Sequence, residues 1–246
     1  MTNFPPTSDR IFAGPIAAAD FIFDSQVSAV FDDMARRSVP GYQQVIAMAG
    51  QLLASFLRDG DTVCDLGCAT GETLIALSRQ LPGQDRHWLG LDSSPAIIGE
   101  AQEKARRATA DACRFIVADI MNHDYPTCGA FILHYTLQFI RPMRRPDFLA
   151  RLFQSLRPGG VLLLSEKVIL HDRRLNREFI ARYLAFKKER GYSELEIAQK
   201  REALENVLVP FSIDENLTIL RQAGFAEAAV FCQWFNFASF VAVKAE

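Results

Sequence analysis

The chain has 246 residues, of which 49% are hydrophobic and 23% are charged, and its formal net charge is −2. This near-neutral balance provides no long-range field to attract nucleic-acid phosphates, so direct nucleic-acid binding is not the first interpretation. The length suits one large domain or two small ones.

The cysteines and the first residues of the chain bear on its compartment. The five cysteines include no CxxC pair, and Cys64 and Cys68 have no partnering histidines nearby in the sequence. We therefore expect buried free thiols, a reducing compartment and no metal site. The start MTNFPPTSDRIF lacks the pattern of a signal peptide, and no stretch approaches the roughly 20 apolar residues of a membrane span. A cytoplasmic protein without membrane association is expected.

Helical patterns precede the first strand-like segment. Residues 1–20 contain several prolines and glycines and are expected to form an irregular arm. From about Ser25, apolar residues recur at steps of three and four, which predicts a helix, and a second apolar helix is predicted from Tyr42 to about Leu57. We expect residues 1–58 to form an N-terminal arm followed by lid helices.

The next hundred residues alternate between two patterns. Apolar runs predict strands at Thr62–Leu66, Trp88–Asp92, Phe115–Ala118, Ala130–His134 and Val161–Glu166. Helices are predicted between them at Glu72–Gln80, Pro95–Ala108 and Arg145–Leu156. Alternation at this spacing predicts βαβ units and a mainly parallel sheet.

The alternation breaks after the fifth predicted strand. Residues 172–210 are helical in pattern and charged, which is too long for an ordinary connection and predicts a helical insertion. A capping box at Ser212 opens a further helix, Gly224 ends it, and strands at about 226–234 and 237–244 are expected to form a hairpin. No interdomain linker is visible, so residues 1–246 are interpreted as a single domain.

The strongest local signal is the sequence DLGCATG, from Asp65 to Gly71, directly after the first predicted strand. Glycines at the carboxyl end of a strand let a ligand approach the backbone, although a simple strand-to-helix turn also contains them. A dinucleotide site requires the pattern GxGxxG, whereas Gly67 is followed by Ala69 and Glu72. The observed DxGxxxG resembles the first motif of enzymes that use S-adenosylmethionine (SAM).

Two further acidic residues follow strands in the order that a SAM site requires. Asp92 ends the second predicted strand, where an acid accepts hydrogen bonds from both ribose hydroxyls. Asp119 follows the third strand, so that it or its neighbouring backbone can meet the adenine amino group while Ile120 packs on the ring. A lone acid at a strand end is usually a helix cap, but three such sites in succession favour SAM. The sequence LRPGG at 156–160 also resembles a turn typical of SAM methyltransferases.

Segments outside these motifs make the resemblance more specific. They are SVPGY at 38–42, YTLQF at 135–139, LSEK at 164–167, GYSELEI at 191–197, QKR at 199–201 and NF at 236–237. Together they resemble the carboxy-SAM synthase family, over nearly the whole chain from about Ile16 to Ala245. The resemblance implies an α/β, Rossmann-like SAM-dependent methyltransferase fold with a mainly parallel seven-stranded sheet, a C-terminal antiparallel hairpin, an N-terminal helical lid and the helical insertion.

The family resemblance also implies a reaction and partners. Enzymes of this family convert SAM and prephenate into carboxy-SAM and phenylpyruvate, and a separate enzyme uses carboxy-SAM to modify a wobble uridine in tRNA. Carboxy-SAM is therefore the expected product, and no metal is expected to take part. The SAM methyl group would lose a proton and capture the carbon dioxide released from prephenate, with the departing hydroxide as a candidate base.

Transferred position by position, the resemblance implies SAM contacts from the lid, the strand ends and the insertion. The implied residues are Tyr42, Gly67, Cys68, Ala69, Asp92, Ser93, Asp119, Ile120, His134 and Arg201. Ala69, Ser93 and His134 depart from the family pattern, in which serine, asparagine and asparagine are common. At Ala69 and Ser93, contacts from the backbone can replace those of the usual side chains. Histidine is larger and titrates near neutrality, which leaves the role of position 134 open.

Arg201 is the candidate catalytic residue, because the protein must supply a cation for the carboxylates and guanidinium binds carboxylate in a bidentate manner. The alternative for Arg201 is a solvated helix face. Glu166 and Lys167 follow a buried strand, where they either face the substrate or pair with each other.

Other functions stay open on the sequence alone. A conventional SAM-dependent small-molecule methyltransferase shares the SAM motifs, and so does a non-catalytic SAM-binding module. A homodimer is implied by the family, and the insertion carries more apolar residues than one sheet face needs: Phe179, Ile180, Leu184 and Phe186. If the insertion forms the dimer interface, Arg201 serves either its own site or that of a second copy.

Overall fold

The computed structural model describes residues 8–13, 25–82 and 85–246. Most of the predicted N-terminal arm, 1–20, lies outside them. The helices are α1 (Ser25–Ser38), α2 (Tyr42–Phe56), α3 (Glu72–Gln80), α4 (Pro95–Arg107), α5 (Arg145–Ser155), α6 (Arg173–Glu189), α7 (Glu194–Leu204) and α8 (Ile213–Gln222). The strands are β1 (Thr62–Leu66), β2 (His87–Asp92), β3 (Cys113–Val117), β4 (Cys128–His134), β5 (Leu156–Lys167), β6 (Glu227–Trp234) and β7 (Phe237–Val243).

The strands form one seven-stranded sheet in the order β3-β2-β1-β4-β5-β7-β6. The first five strands in this order are parallel, whereas β7 runs antiparallel to both β5 and β6. This confirms the predicted mainly parallel sheet with a C-terminal antiparallel hairpin. Because the chain crosses from β1 outward to β3 and returns to β4, the strand order reverses beside β1, which is where α/β sheets of this kind bind ligands.

β5 differs most from its predicted bounds. It begins at Leu156 rather than Val161, because Leu156 already pairs with Cys128 of β4 and the glycine turn that precedes Val161 is hydrogen-bonded to Lys244. The amide of Gly159 donates to the Lys244 carbonyl at 2.9 Å, and the Lys244 amide donates to the Gly160 carbonyl at 2.9 Å. The turn therefore continues the strand, and α5 ends one residue earlier than predicted, at Ser155.

Two apolar layers cover the faces of the sheet. On one face, α2, α3 and α4 pack on inward-facing strand residues such as Val63, Ile132 and Leu163. On the other face, α5 and α8 pack on their alternating neighbours, among them Leu133 and Leu164. Side chains alternate along a strand, so Asp65, His134 and Lys167, near the ends of β1, β4 and β5, point to the first face. They therefore lie beneath the N-terminal helices.

The predicted insertion is present as α6 and α7, and buried polar contacts join it to the N-terminal region. The hydroxyl of Tyr192 donates to the carboxylate of Asp9 at 2.5 Å. The amine of Lys200 donates to the hydroxyl of Ser38 at 3.0 Å. The insertion and the N-terminal helices therefore cover the same face of the sheet. None of the described helices combines the length and apolar character needed to cross a membrane.

Candidate active site

The glycine turn after β1 packs tightly against its surroundings. The amides of Gly67 and Cys68 both donate to the carbonyl of Leu91, at 2.8 and 3.0 Å, which holds the turn against β2. Gly67 has a φ of 72°. A Cβ atom at this position would lie 2.5 Å from Cγ2 of Thr136. Glycine is thus required both by the left-handed backbone and by the close approach of Thr136.

Asp92 connects this turn to the end of β2. Its Oδ2 accepts a hydrogen bond from the amide of Ala69 at 3.2 Å, and its Oδ1 accepts one from the amide of Ser94 at 3.0 Å. Ser93 lies exposed between these two anchoring contacts. Burial raises the pKa of the Asp92 carboxyl. The structure therefore brings the predicted residues Ala69, Asp92 and Ser93 together at one edge of the sheet.

A second carboxyl group, that of Asp65, lies in the same place without a hydrogen-bonding partner. Asp65 is 2% exposed, and its Oδ2 is a buried atom that accepts no hydrogen bond from the described residues. Burial, and then the charge of Asp92, raise the pKa of Asp65 to about 8. Within the described ranges no group of three or more histidine, cysteine, aspartate or glutamate residues is placed to hold a metal ion. A positively charged ligand would stabilise this pair of carboxyls in their ionised form, because an unpaired buried carboxylate is costly.

Asp119 and Ile120 follow β3, which is the second strand along from β1. The Asp119 carboxylate accepts hydrogen bonds from the amide of Met121 at 2.9 Å and from Nδ2 of Asn122 at 2.5 Å. Asp119 is exposed and Ile120 is half-buried. Gly67, Asp92 and Asp119 thus follow three adjacent parallel strands at the same edge, as the sequence predicts.

His134 ends β4, directly beside β1. Neither ring nitrogen has a hydrogen-bonding partner among the described residues, and both nitrogens are buried. Burial lowers the pKa of His134 to about 4, so the imidazole is neutral at pH 7. The structure therefore corrects the expectation that this side chain titrates near neutrality. The next residue, Tyr135, has a φ of 62°, which is strained for a side chain of this size.

Aromatic rings line a continuous path from the lid to the insertion. The rings of Tyr42 and Tyr135 have centroids 6.3 Å apart. Tyr135 is 6.1 Å from Phe237, and Phe237 is 5.0 Å from Tyr183 on α6. Tyr42, predicted as a lid contact, is half-buried, and burial followed by the charge of Asp65 raises the pKa of its hydroxyl. We call Tyr42, Tyr135, Phe237 and Tyr183 the aromatic wall.

Arg201 lies near Lys167, whose amine is 5.3 Å from the centroid of the Tyr183 ring. It is exposed in the last turn of α7, and no hydrogen bond or ion pair joins its side chain to the residues that the structure describes. Burial, and then the charge of Arg201, lower the pKa of Lys167 at the end of β5. The guanidinium is therefore close to Lys167 and available to an external anion.

Glu166 and Lys167 do not pair with each other, since consecutive side chains of a strand point to opposite faces. Lys167 lies on the face that the N-terminal helices cover, with its amine 5.3 Å from the centroid of the Tyr183 ring. Glu166 is 2% exposed and lies on the other side, where its charge acts on the buried guanidinium of Arg145. Burial raises the pKa of Glu166. Of the two, Lys167 is the one that borders the site.

Sequence reasoning missed three residues that the structure places at the strand ends or along the aromatic wall. Asp65 opens the glycine motif, and its position there was the available signal. Tyr135 belongs to the YTLQF segment, but nothing in the sequence indicates its left-handed backbone. Lys187 is one of several basic residues on α6, and only the fold shows that it is 5% exposed.

Comparison with known proteins agrees with this geometry. Residues 63–160 match the family model of a methyltransferase domain. An O-methyltransferase family protein from Burkholderia thailandensis has the same fold, with a TM-score of 0.68 at 17% identity over 91% of this chain and 61% of that one.

Full-length relatives are much more similar in sequence. The chain is 54% identical to the carboxy-S-adenosyl-L-methionine synthase of Desulfotalea psychrophila, over 96% of this chain and 97% of the relative. It is 43% identical to the enzyme of the same name from Nautilia profundicola, over 96% of this chain and 99% of the relative. These matches extend through the lid and the insertion as well as the SAM motifs. The chain belongs to the carboxy-S-adenosyl-L-methionine synthase family.

Proposed function

We propose that this chain binds SAM at the carboxyl edge of β1, β2, β3 and β4. The observation that carries the proposal is the unpartnered, buried Oδ2 of Asp65 beside the carboxylate of Asp92. SAM bears an ammonium and a sulfonium group, so it offers the positive charge that these carboxyls lack. Burial of the site strengthens such an interaction because the local dielectric constant is low.

The residues that hold SAM in this proposal are those transferred from the family. They are Tyr42, Gly67, Cys68, Ala69, Asp92, Ser93, Asp119, Ile120, His134 and Arg201. The placement of Tyr42 on the lid helix α2, and of the next eight residues at the ends of adjacent strands, supports the first nine. Arg201 is instead placed near Lys167 and suits the carboxylate-binding role better than a contact to adenosine.

We further propose that the chain converts SAM and prephenate into carboxy-SAM and phenylpyruvate. Prephenate would give up its ring carboxylate as carbon dioxide together with hydroxide. Carbon dioxide would join the SAM methyl carbon, and the proton released there would combine with hydroxide to form water. The atoms and charges balance without an oxidant or a metal. The names of the full-length relatives support carboxy-SAM as the product.

The residues of this chain would act by positioning and by exclusion of water. The aromatic wall offers an apolar surface for a ring substrate, and the neutral imidazole of His134 adds no charge beside the sulfonium. Arg201 is the cation that would orient a carboxylate. A product made in this way would serve a separate enzyme that modifies the wobble uridine of tRNA, which fits a chain with little net charge of its own.

We also propose that the chain acts as a cytoplasmic homodimer in which residues 1–246 form one SAM-binding domain. Apolar side chains are exposed on α6 and on the edge strand β6, where Leu175 is 50% exposed, Ile180 38% and Val230 36%. Such a patch beside an unpaired strand edge suits a second copy. Sedimentation velocity should give the mass of a dimer. A monomer at micromolar concentration would contradict this part.

Incubation with SAM and prephenate tests the reaction against its rivals. Mass spectrometry should show SAM converted into a species heavier by one carbon dioxide, with phenylpyruvate formed in equal amount. A conventional methyltransferase would leave SAM unchanged until an acceptor is added and would then produce S-adenosylhomocysteine. A binding module would retain SAM and turn over neither substrate.

A further inference from the structure

The amines of two lysines lie close to one tyrosine ring on the insertion. The amine of Lys187, from α6, lies 5.0 Å from the centroid of the Tyr183 ring, and that of Lys167, from β5, lies 5.3 Å from the same centroid. Lys187 is 5% exposed and Lys167 is half-buried. Two amines brought from different elements to one ring are an unusual arrangement, because each loses hydration and repels the other.

The described residues near these two amines supply too little negative charge to neutralise both of them. Neither amine forms an ion pair or a hydrogen bond with a residue that the structure describes, and a third lysine, Lys200, is close enough to act electrostatically on Lys187. Asp9 is the carboxylate that acts on Lys187, but it already accepts a hydrogen bond from Tyr192 and lies 3.8 Å from the amine of Lys200. The pair therefore has room for an external anion.

The position of the pair relates it to the site already described. Tyr183 is the last ring of the aromatic wall, which starts at Tyr42 beside Asp65. The charge of the exposed Arg201 lowers the pKa of Lys167. The carboxyl groups of Asp65 and Asp92 lie at one end of this region and the amines of Lys167 and Lys187 at the other, with aromatic rings between. A cationic ligand and an anionic ring compound can thus lie side by side.

We propose that Lys167 and Lys187 form the binding site for a carboxylate of the second substrate, beside the Tyr183 ring. This inference rests on the proposed function, in which the second substrate is prephenate. Prephenate carries two carboxylates, one bonded directly to C1 of its six-membered ring and one at the end of the pyruvyl side chain on the same carbon. Lys167 and Lys187 hold one of them, which leaves Arg201 at the entrance to guide or hold the other.

Lys187→Met and Lys167→Met test the assignment, with Lys188→Met as the matched control. Lys188 is adjacent on α6 and carries the same charge, but its amine pairs with Glu194 at the surface. At saturating SAM, each of the first two variants should raise the KM for prephenate by about 10- to 100-fold, the range typical of a lost charge-assisted hydrogen bond. Lys188→Met should leave KM within about twofold of the parent, as is usual for a surface charge.

Calorimetric titration with SAM separates this effect from misfolding. The variants should bind SAM with the affinity of the parent, since the lysines lie at the other end of the aromatic wall. Lys187→Arg, which keeps the charge, should recover part of the lost prephenate affinity. An unchanged KM for prephenate in both methionine variants would overturn the assignment, and so would an equal loss of SAM binding. If the parent forms no carboxy-SAM, the proposed function fails instead.

Discussion

The amine of Lys200 lies 3.8 Å from the carboxylate of Asp9, and both side chains are more than nine-tenths buried. Tyr192 donates to the same carboxylate at 2.5 Å. Asp9, near the start of the chain, therefore packs against the helical insertion. This contact joins the segment before α1 to α7, the helix that carries Arg201.

Asp9→Asn should reduce the free energy of unfolding by about 1–3 kcal/mol, because it leaves buried donors without their charged acceptor. The loss is limited because burial already lowers the pKa of Lys200 to about 8, so its amine can lose its proton. Chemical denaturation measures the change. A double variant with Lys200→Met should be less destabilised than the sum of the single variants. The surface variant Glu194→Gln serves as control, and strict additivity of Asp9 and Lys200 would show that the two do not interact.

Asp65→Asn should weaken SAM binding by about 10- to 100-fold, since it removes the carboxylate proposed to face the cation. The pKa of Asp65 is about 8 in the free protein, so the group is mostly protonated at pH 7. A bound cation favours ionisation, and SAM affinity should therefore rise from pH 6 to pH 8 as the proton is more easily lost. Calorimetry at several pH values measures this rise. The rise of SAM affinity with pH should be smaller in Asp65→Asn. A rise of the same size in that variant would show that a different group causes it.

Arg201→Ala should retain the fold but lose carboxy-SAM formation, because it removes the exposed cation beside Lys167. Arg221→Ala is a suitable control, since Arg221 is an exposed arginine in the last turn of α8, on the opposite face of the sheet. Rates at saturating substrates, with circular dichroism as the check on folding, decide the outcome. Full activity of Arg201→Ala would remove this residue from the mechanism.

Gly67→Ala should destabilise the protein and abolish SAM binding. The backbone at φ 72° costs a side chain about 1–2 kcal/mol, and the new methyl group would press on Thr136. Adding Thr136→Ala removes the nearest atoms of the clash but not the backbone strain. The double variant should therefore recover only part of the lost stability in thermal unfolding. Complete recovery would show that the clash alone requires glycine here.

The KM for prephenate should rise between pH 6 and pH 9. Burial, and then Lys200 and Lys167, lower the pKa of Lys187 to about 7, while Asp9 acts in the opposite direction. Only the protonated amine attracts a carboxylate, so affinity is greatest below pH 7 and falls as the proton is lost. Steady-state rates at saturating SAM measure the profile. The rise should be reduced in Lys187→Met, and an unaltered profile in that variant would exclude Lys187 as its source.

The sequence was sufficient to predict the sheet and the part of the site that lies at the strand ends. Buried parallel strands appear as continuous apolar runs, and the carboxyl ends of such strands meet at one edge, so Gly67, Asp92 and Asp119 could be placed together without a structure. Helix bounds such as Glu72–Gln80 were also predictable, because periodicity and glycine define them locally.

The other half of the site depends on contacts between distant segments. Lys187 is one of several basic residues on α6, and nothing in its neighbours distinguishes it from exposed Lys188 until α6 packs on the sheet. The neutral state of His134 follows from burial by the whole fold rather than from its strand. The early start of β5 arises because Leu156 pairs with Cys128 of β4 and Gly159 pairs with Lys244, which is 85 positions further along the chain than Gly159.

Transfer of an isotopic label from the ring carboxylate of prephenate tests the central claim most directly. With that carbon labelled with ¹³C and the SAM methyl group unlabelled, the new carboxylate of carboxy-SAM should carry the label, and phenylpyruvate should carry none. Label that remains in free carbon dioxide while SAM is unchanged, or appears only in phenylpyruvate, would contradict the account.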